Sequence, residues 1–486
     1  MIFLYIGLPL IVAAVLPLVG KVSKKVLPDV LANGVFLFLF AYAVTGARPL
    51  LAGGALRQTF TWFGEPLGIQ IAVDGFSLFL LTVIALVSAC VGLYSISYME
   101  HYGSKANYYA LLLMMIVGMN GLVLVTDLFQ IYIFMEVAAV ASYALVAFGR
   151  EHAELEAAFK YLMLSVVASA AVLLAIALLF GLTGSLSFAA VGEGLRRLDD
   201  KIAAGIASAL FLLGFGLKAA LVPFHAWLPD AHPSAPAPIS AILSGLLIKV
   251  SGVYAMTRVF FHVFGLTPAL SEVLMWLGAV SIVVAALLAL AQKDMKRMLA
   301  YSSISQVGYV VLGLGIGTPL GIAGGLFHLL NHAVAKSLLF LNSGSVQQAT
   351  GTRDLDEMGG LAKRMPITAT TNLIGSLSIS GVPPLGGFWS KLLIIMALVQ
   401  ARQPALAVIA VLASVLTLWY YLIIQRKAFF GKLNARWAEV KEAPFWMSAA
   451  TVILAVLCLA LGLFFSSVVS TWIQPAADGL AKGMGM

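Results

Sequence analysis

Apolar runs of about twenty residues, parted by short polar links, fill almost the whole chain. A helix needs about 20 apolar residues to cross the hydrocarbon core of a bilayer. By that rule the pattern predicts spans near 2–20, 28–47, 75–98, 107–125, 128–148, 156–182, 202–222, 235–263, 269–291, 298–316, 319–348, 367–399, 404–425 and 446–471, about fourteen in all. The first run has no basic n-region and no small-residue cleavage site, so it reads as a spanning helix and not as a signal peptide. Residues 48–74 break the pattern: they alternate, carry Arg48, Arg57, Gly and Thr, and read as an extramembrane hairpin. Residues 185–201, with Arg196, Arg197, Asp199 and Asp200, read as a short interfacial segment. The stretch 426–445, RKAFFGKLNARWAEVKEAPF, reads as an amphipathic helix on the cytoplasmic face.

Composition fits this pattern. Hydrophobic residues make up 61% of the chain and charged residues 10%, against about 25% charged in soluble domains. The fold class expected is an all-α polytopic membrane protein. The net charge of +8 points to basic cytoplasmic loops before it points to nucleic acid. Lys21, Lys24, Lys25, Lys105, Arg150, Lys293, Lys296, Arg297, Arg353, Lys363, Arg364 and the cations of 426–441 all follow odd-numbered spans. The opposite loops hold little beyond Arg48, Arg57, Arg196, Arg197, Lys201 and Arg402. The positive-inside rule then places both termini on the outer side of a cell (inner) membrane. Cys90 and Cys458 lie in apolar runs and form neither a disulfide framework nor a metal motif. There is no phosphate-binding or dinucleotide fingerprint and no ligand set for an iron–sulfur cluster or haem. No cofactor is expected, so energy must come from an ion gradient or a partner.

Against this background the charges inside the spans stand out. A charge at bilayer depth costs about 2.5–3.5 kcal/mol on insertion scales, and the usual return is an ion or proton path. Lys218 lies deep in an apolar segment that breaks at PFHAWLPDAHPSAPAP, and Lys249 lies in the segment that follows. Glu136 is the one carboxylate deep in a span. It needs a partner, and Lys218 and Lys249 are the two candidates. Burial works against a lone charge and an opposite charge restores it, so a pair that forms and breaks is a proton switch. His328, His332 and Lys336 recur at i, i+4 and i+8 and share one helix face. That face reads as wet and proton-relaying; the ordinary alternative is a set of satisfied core histidines. No carboxylate or cysteine completes a metal site there, and no metal is expected. Lys391 follows a second break, SISGVPPLGGFWSKL. Freed backbone groups at membrane depth require a cavity or protein partners; the competing reading has Lys391 snorkelling to an interface. His225 and His232 flank the first break and are candidates for proton uptake from the cytoplasm, or else loop residues without a role. Asp127, Asp230, Asp294 and Arg297 read as solvated helix caps. The two interrupted segments, 212–229 and 376–396, are a loose echo of each other, as in inverted-repeat transporters.

At VDGFSLFLL, the Glu136 helix, KAALVPFHAWLPDAHPSAPAPISAILSGLLIKVSG, DMKRMLAYSSISQVGY, FHLLNHAVAKSLLFL and GVPPLGGFWSKL, the chain resembles the antiporter-like subunits of respiratory complex I and of Mrp-type cation/proton antiporters. The resemblance covers nearly the whole chain, best over about 75–430. It implies fourteen helices with two inverted five-helix repeats, spans 4–8 (107–263) and 9–13 (264–430). Residues 1–106 precede them and 431–486 follow. Spans 7 and 12 are then the discontinuous ones. The resemblance carries the family's polar midplane axis onto Glu136, Lys218, Lys249, His328, His332, Lys336 and Lys391. The wording around Lys391 is similar to MrpD-type subunits and their membrane-bound hydrogenase relatives. The partners implied are other membrane subunits of such a complex, with protons and sodium as candidate cargo; one buried carboxylate is a thin sodium site. The expected function is a proton-translocating subunit. Two alternatives stand: the proton pump of a complex I-like quinone oxidoreductase or hydrogenase without sodium exchange, and a structural scaffold whose charges only lock helices together.

Overall fold

The computed structural model describes residues 2–51, 56–60, 69–199 and 201–483. The side chain of Arg48, the tip of the expected hairpin at 61–68 and Asp200 lie outside the described residues. Helices α1 (Leu4–Val22) and α2 (Val26–Leu51) open the chain. Strands β1 (Leu56–Phe60) and β2 (Ile69–Val73) pair antiparallel, with Leu56 opposite Val73 and Phe60 opposite Ile69. Then come α3 (Gly75–Tyr98), α4 (Lys105–Leu124), α5 (Leu128–Val146) and α6 (His152–Thr183). The interfacial segment contains a short helix, α7 (Phe188–Arg196), capped by Ser187.

The next stretch is broken. Helix α8 (Ile202–Lys218) stops, and α9 (Leu228–Ser234) resumes nine residues later. Helix α10 (Ala237–Ile242) runs through a π-helical stretch, Leu243–Tyr254, into α11 (Ala255–Arg258) and on to Val263. Helices α12 (Pro268–Leu290), α13 (Met295–Gly315) and α14 (Pro319–Thr350) follow. A second break separates α15 (Pro366–Ser380) from α16 (Gly386–Gln400). The chain closes with α17 (Pro404–Ile424), α18 (Phe445–Leu463), α19 (Phe465–Val468) and α20 (Gln474–Gly483).

Local chemistry sets these boundaries. Asp74, Ser104, Asp127, Thr267, Asp294 and Thr318 each accept a backbone N–H in the first turn of the helix that follows, which satisfies donors a helix start leaves free. Gly184, Gly351 and Gly381 end helices with positive φ.

Among the described residues, eleven helices are long and apolar enough to cross a membrane. The fourteen expected spans exceed this at three places: the two broken stretches, and α14, whose run of polar side chains lowers its hydropathy. That polar helix is also deeply enclosed. Every residue from Gly321 to Val346 is buried, with α13, α15, α16, α18 and α10 packed around it. In contrast α6 leaves Leu155, Phe159, Met163, Val166 and Phe180 exposed, an apolar face suited to lipid.

Two expectations need correction. No amphipathic helix forms over 426–445. The helix of α17 continues with a wider winding only to Phe429, Gly431 at φ +93° turns the chain, and a single 3-10 turn, Ala435–Trp437, follows. Cross-chain bonds outweigh helix formation there. The Trp437 indole donates to the Glu357 carbonyl at 3.0 Å, and the Glu442 carboxylate accepts from the Ile367 N–H at 2.7 Å. Second, Lys105 and Lys296 are not solvated loop cations: they are 3% and 1% exposed.

Candidate functional site

The first break builds the first half of the site. Lys218 is the last residue of α8 and is buried. Its Nζ lies 3.2 Å from Glu136 Oε1 on α5 and donates to Ser165 Oγ on α6 at 2.6 Å. The Ser169 hydroxyl donates to the same Glu136 oxygen. Of the two lysines open as partners of Glu136, the fold selects Lys218.

The break itself is held by protein groups. Pro223 has no N–H to continue α8, and Ala220 takes φ +54°. The Val222 N–H donates to Ser281 Oγ at 3.0 Å. The Trp227 indole donates to the Leu217 carbonyl at 2.9 Å and stacks on Tyr161, ring centroids 4.1 Å apart. These two backbone groups at the break are thus satisfied by protein side chains.

Beyond the break, His232 on α9 is fully buried against Phe340, ring centroids 4.5 Å apart. Neither of its ring nitrogens has a hydrogen-bond partner among the described residues. His225 is half-buried, 6.3 Å from the Tyr301 ring. His232 is therefore no loop residue, whereas His225 lies nearer the surface.

Lys249 lies in the π-helical stretch, where the wider winding turns carbonyls off the helical ladder. Its Nζ donates to the Ser244 and Gly245 carbonyls of its own helix, at 2.5 and 2.9 Å. Gly245 lets this stretch press on α14: a Cβ there would lie 2.2 Å from Ser337 Oγ.

On α14, Lys336 Nζ donates to the Leu299 carbonyl at 3.0 Å and the Tyr421 hydroxyl at 2.7 Å. The rings of His332 and His328 lie nearly parallel, 6.4 Å apart. His328 Nδ1 meets Ser390 Oγ at 2.9 Å. Lys391, one turn beyond the second break, is 3% exposed, so it does not snorkel. Its Nζ donates to the Ser380 carbonyl at 3.2 Å and stands over the Tyr309 ring at 4.7 Å.

Two groups emerge. Glu136, Lys218, Ser165 and Ser169 form one. In the other, His332 lies within electrostatic reach of Lys249, Lys336, His328 and Lys391. No described hydrogen bond joins the two groups, although α8 and the π-helical stretch touch, with Gly252 against Ala219. Among the described residues no carboxylate lies within 4 Å of Lys249, Lys336 or Lys391. Nor are three or more His, Cys, Asp or Glu side chains gathered to hold a metal.

The sequence pattern missed several partners. Ser165, Ser169, Ser390, Tyr309 and Tyr421 look like ordinary span residues until helices are paired. A buried network at the other end of α10–α11 was also missed. Arg258 pairs with Asp74 at 2.6 Å and donates to Ser77 and Tyr254. Asp127 and Asp294 are caps as expected, but Asp230 bridges Arg297 at 2.6 Å and Lys160 at 3.5 Å.

Comparison with known proteins places this geometry. Residues 125–417 match the family model described as "NADH:quinone oxidoreductase/Mrp antiporter, TM", and residues 63–109 match that described as "NADH-Ubiquinone oxidoreductase (complex I), chain 5 N-terminus". The chain is 32% identical to an NADH-quinone oxidoreductase subunit of Desulforudis audaxviator over 97% of both chains. It is 34% identical to a Na(+)/H(+) antiporter subunit of Alkalihalophilus pseudofirmus over 76% of this chain and 74% of that one. Its fold superposes on a chain of the Mrp complex from Dietzia sp. with a TM-score of 0.92 at 27% identity, covering 100% of this chain and 99% of that one.

Proposed function

The chain belongs to the NADH:quinone oxidoreductase/Mrp antiporter transmembrane family, and we propose that it carries protons through the membrane as one subunit of a multisubunit complex. The observation that carries this reading is the run of titratable groups from the half-buried Glu136 and its buried partner Lys218 through Lys249, Lys336, His332 and His328 to Lys391, all buried. A scaffold gains little from three buried lysines and two histidines gathered without an acid. Burying a charge costs several kcal/mol unless it is paired, so such a cluster holds fewer protons than it has sites. Protons then move between the sites as neighbouring charges change. Glu136 tunes the first site by approaching or leaving Lys218. Lys249 and Lys336 link the halves, and Lys391 passes the proton on at the second break. His225 and His232 lie on the uptake side.

In this reading the chain makes fourteen spans, with both termini outside. Residues 107–263 and 264–430 are inverted repeats; 1–106 and 431–486 flank them. Support comes from the two broken stretches, α8–α9 and α15–α16, each with a buried lysine at its edge. The relatives include subunits of sodium/proton antiporters and of a quinone oxidoreductase, so partner subunits supply the driving reaction and any sodium site. The test is to purify the tagged chain with its native partners, identify them by mass spectrometry, and follow vesicle pH after reconstitution. Lys218→Ala abolishes coupled transport and leaves the partners bound; unchanged transport refutes the proposal.

A further inference from the structure

A polar cavity of about 1260 Å³ opens at one end of the bundle. Its rim is the exposed His101, Ser104, Arg150 and Glu151, on the loops that carry the basic residues. Its floor is buried and includes Pro233, Ala235 and Lys296.

Lys296 is an unusual floor. It is 1% exposed, and its one described bond is from Nζ to the Ala235 carbonyl, at 2.9 Å. No carboxylate lies within 4 Å among the described residues. The charged groups that face it are Arg353, Asp294 and Glu154. Of these, Asp294 is engaged by Arg353 at 3.2 Å, and Glu154 closes the start of α6 through the Glu151 N–H at 3.4 Å. Arg353 also donates to the Pro233 carbonyl. Three residues before Ala235, on α9, is His232, whose ring has no described hydrogen-bond partner and sits within electrostatic reach of Lys296, Lys336 and Lys249 together.

We propose that Lys296 is the residue through which a proton passes from cavity water into the protein, to His232 and from there to Lys249 and Lys336. In the step the Lys296 ammonium leaves the Ala235 carbonyl, swings to a neutral imidazole nitrogen of His232 and gives it one proton. The resulting amine takes a proton from cavity water, and His232 returns to neutral as it passes its proton inward. Lysine suits this role because its ammonium can lose a proton, whereas arginine keeps its charge under all working conditions. The inference rests on the proton-carrying reading above. The competing role is structural, since a cation on the Ala235 carbonyl also caps the C-terminal end of α9.

Lys296→Arg separates the two roles, because it keeps the charge and the donor but not the removable proton. The native complex is reconstituted in vesicles and proton uptake from the cavity side is followed with a pH dye. Lys296→Arg is expected to lower uptake at least tenfold with the partners still bound. Transport equal to the parent overturns the proposal and leaves Lys296 as a cap. Lys218→Ala runs alongside: if both variants pump normally, the proton-carrying reading itself fails. Should the arginine variant not assemble, Lys296→Cys replaces it, treated with 2-bromoethylamine to rebuild a primary amine. Uptake lost in the thiol form and regained after alkylation supports the relay; full uptake by the untreated thiol form overturns it.

Discussion

Glu136→Gln keeps the shape of the side chain and removes its charge. Lys218 then keeps a side chain 3% exposed, with the Ser165 hydroxyl at 2.6 Å as its remaining partner. Removing one member of a buried ion pair costs about 3–5 kcal/mol. The Glu136 side chain is 29% exposed, so the lower end applies, about 3 kcal/mol. At about 1.4 kcal/mol per tenfold change, any step that relies on the pair becomes roughly 100-fold slower. Proton flux through the reconstituted complex should fall on the order of 100-fold, while the chain still co-purifies with its partners. Glu136→Asp retains the charge one methylene further back and should fall between the two. Flux within twofold of the parent in Glu136→Gln, in an assembled complex, would refute the role given to this pair.

Lys391→Ala should block flux as fully as Glu136→Gln while leaving the Glu136–Lys218 pair intact, and vesicle pH again reports it. Asp74→Asn keeps a good cap on α3 but strands Arg258, and should cost about 3 kcal/mol; the melting temperature in detergent should drop, and drop less in Asp74→Asn/Arg258→Met. Burial pushes the Asp74 carboxyl up, but the Arg258 guanidinium 2.6 Å away overrides this and holds it below the usual carboxylate range. A lowered carboxylate stabilises the fold above its unfolded value, about 3.9. That stability is lost as pH falls through the folded value, so the parent should melt evenly from neutral pH to about 5 and the Asp74 contribution should fade only in stronger acid. Trp227→Ala removes the indole on the Leu217 carbonyl and the stack on Tyr161; a loss of about 3–5 kcal/mol is expected, read as lower thermal stability.

The sequence shows the site more readily than its partners. A lysine or glutamate inside an apolar run is visible at once, because the bilayer makes it costly. Lys218, Lys249, Lys336, Lys391 and Glu136 stand out on that ground. The i, i+4, i+8 spacing likewise places His328, His332 and Lys336 on one face before any helix is packed. Pairing is different, since it depends on which helices meet. The choice of Lys218 over Lys249 for Glu136 is settled by α5, α6 and α8 converging, and nothing local encodes it. The seryl and tyrosyl partners, Ser165, Ser390 and Tyr421, are ordinary residues of apolar helices. Lys296 and Lys105 sit at helix starts next to polar links, so positional rules count them as loop charges; only packing buries them. The 426–445 segment shows the converse. Its pattern permits an amphipathic helix, but the long-range bonds of Trp437 and Glu442 hold it in another form.

The central claim is that protons cross this chain along one buried axis, and Lys336 lies at its middle, held by the Leu299 carbonyl and the Tyr421 hydroxyl. Lys336→Met preserves length and apolar packing and removes the titratable amine. In vesicles holding the assembled complex, the account predicts that proton flux is lost although Glu136, Lys218 and Lys391 are all in place. Flux equal to that of the parent would contradict it, and would leave the buried lysines as parts of a scaffold.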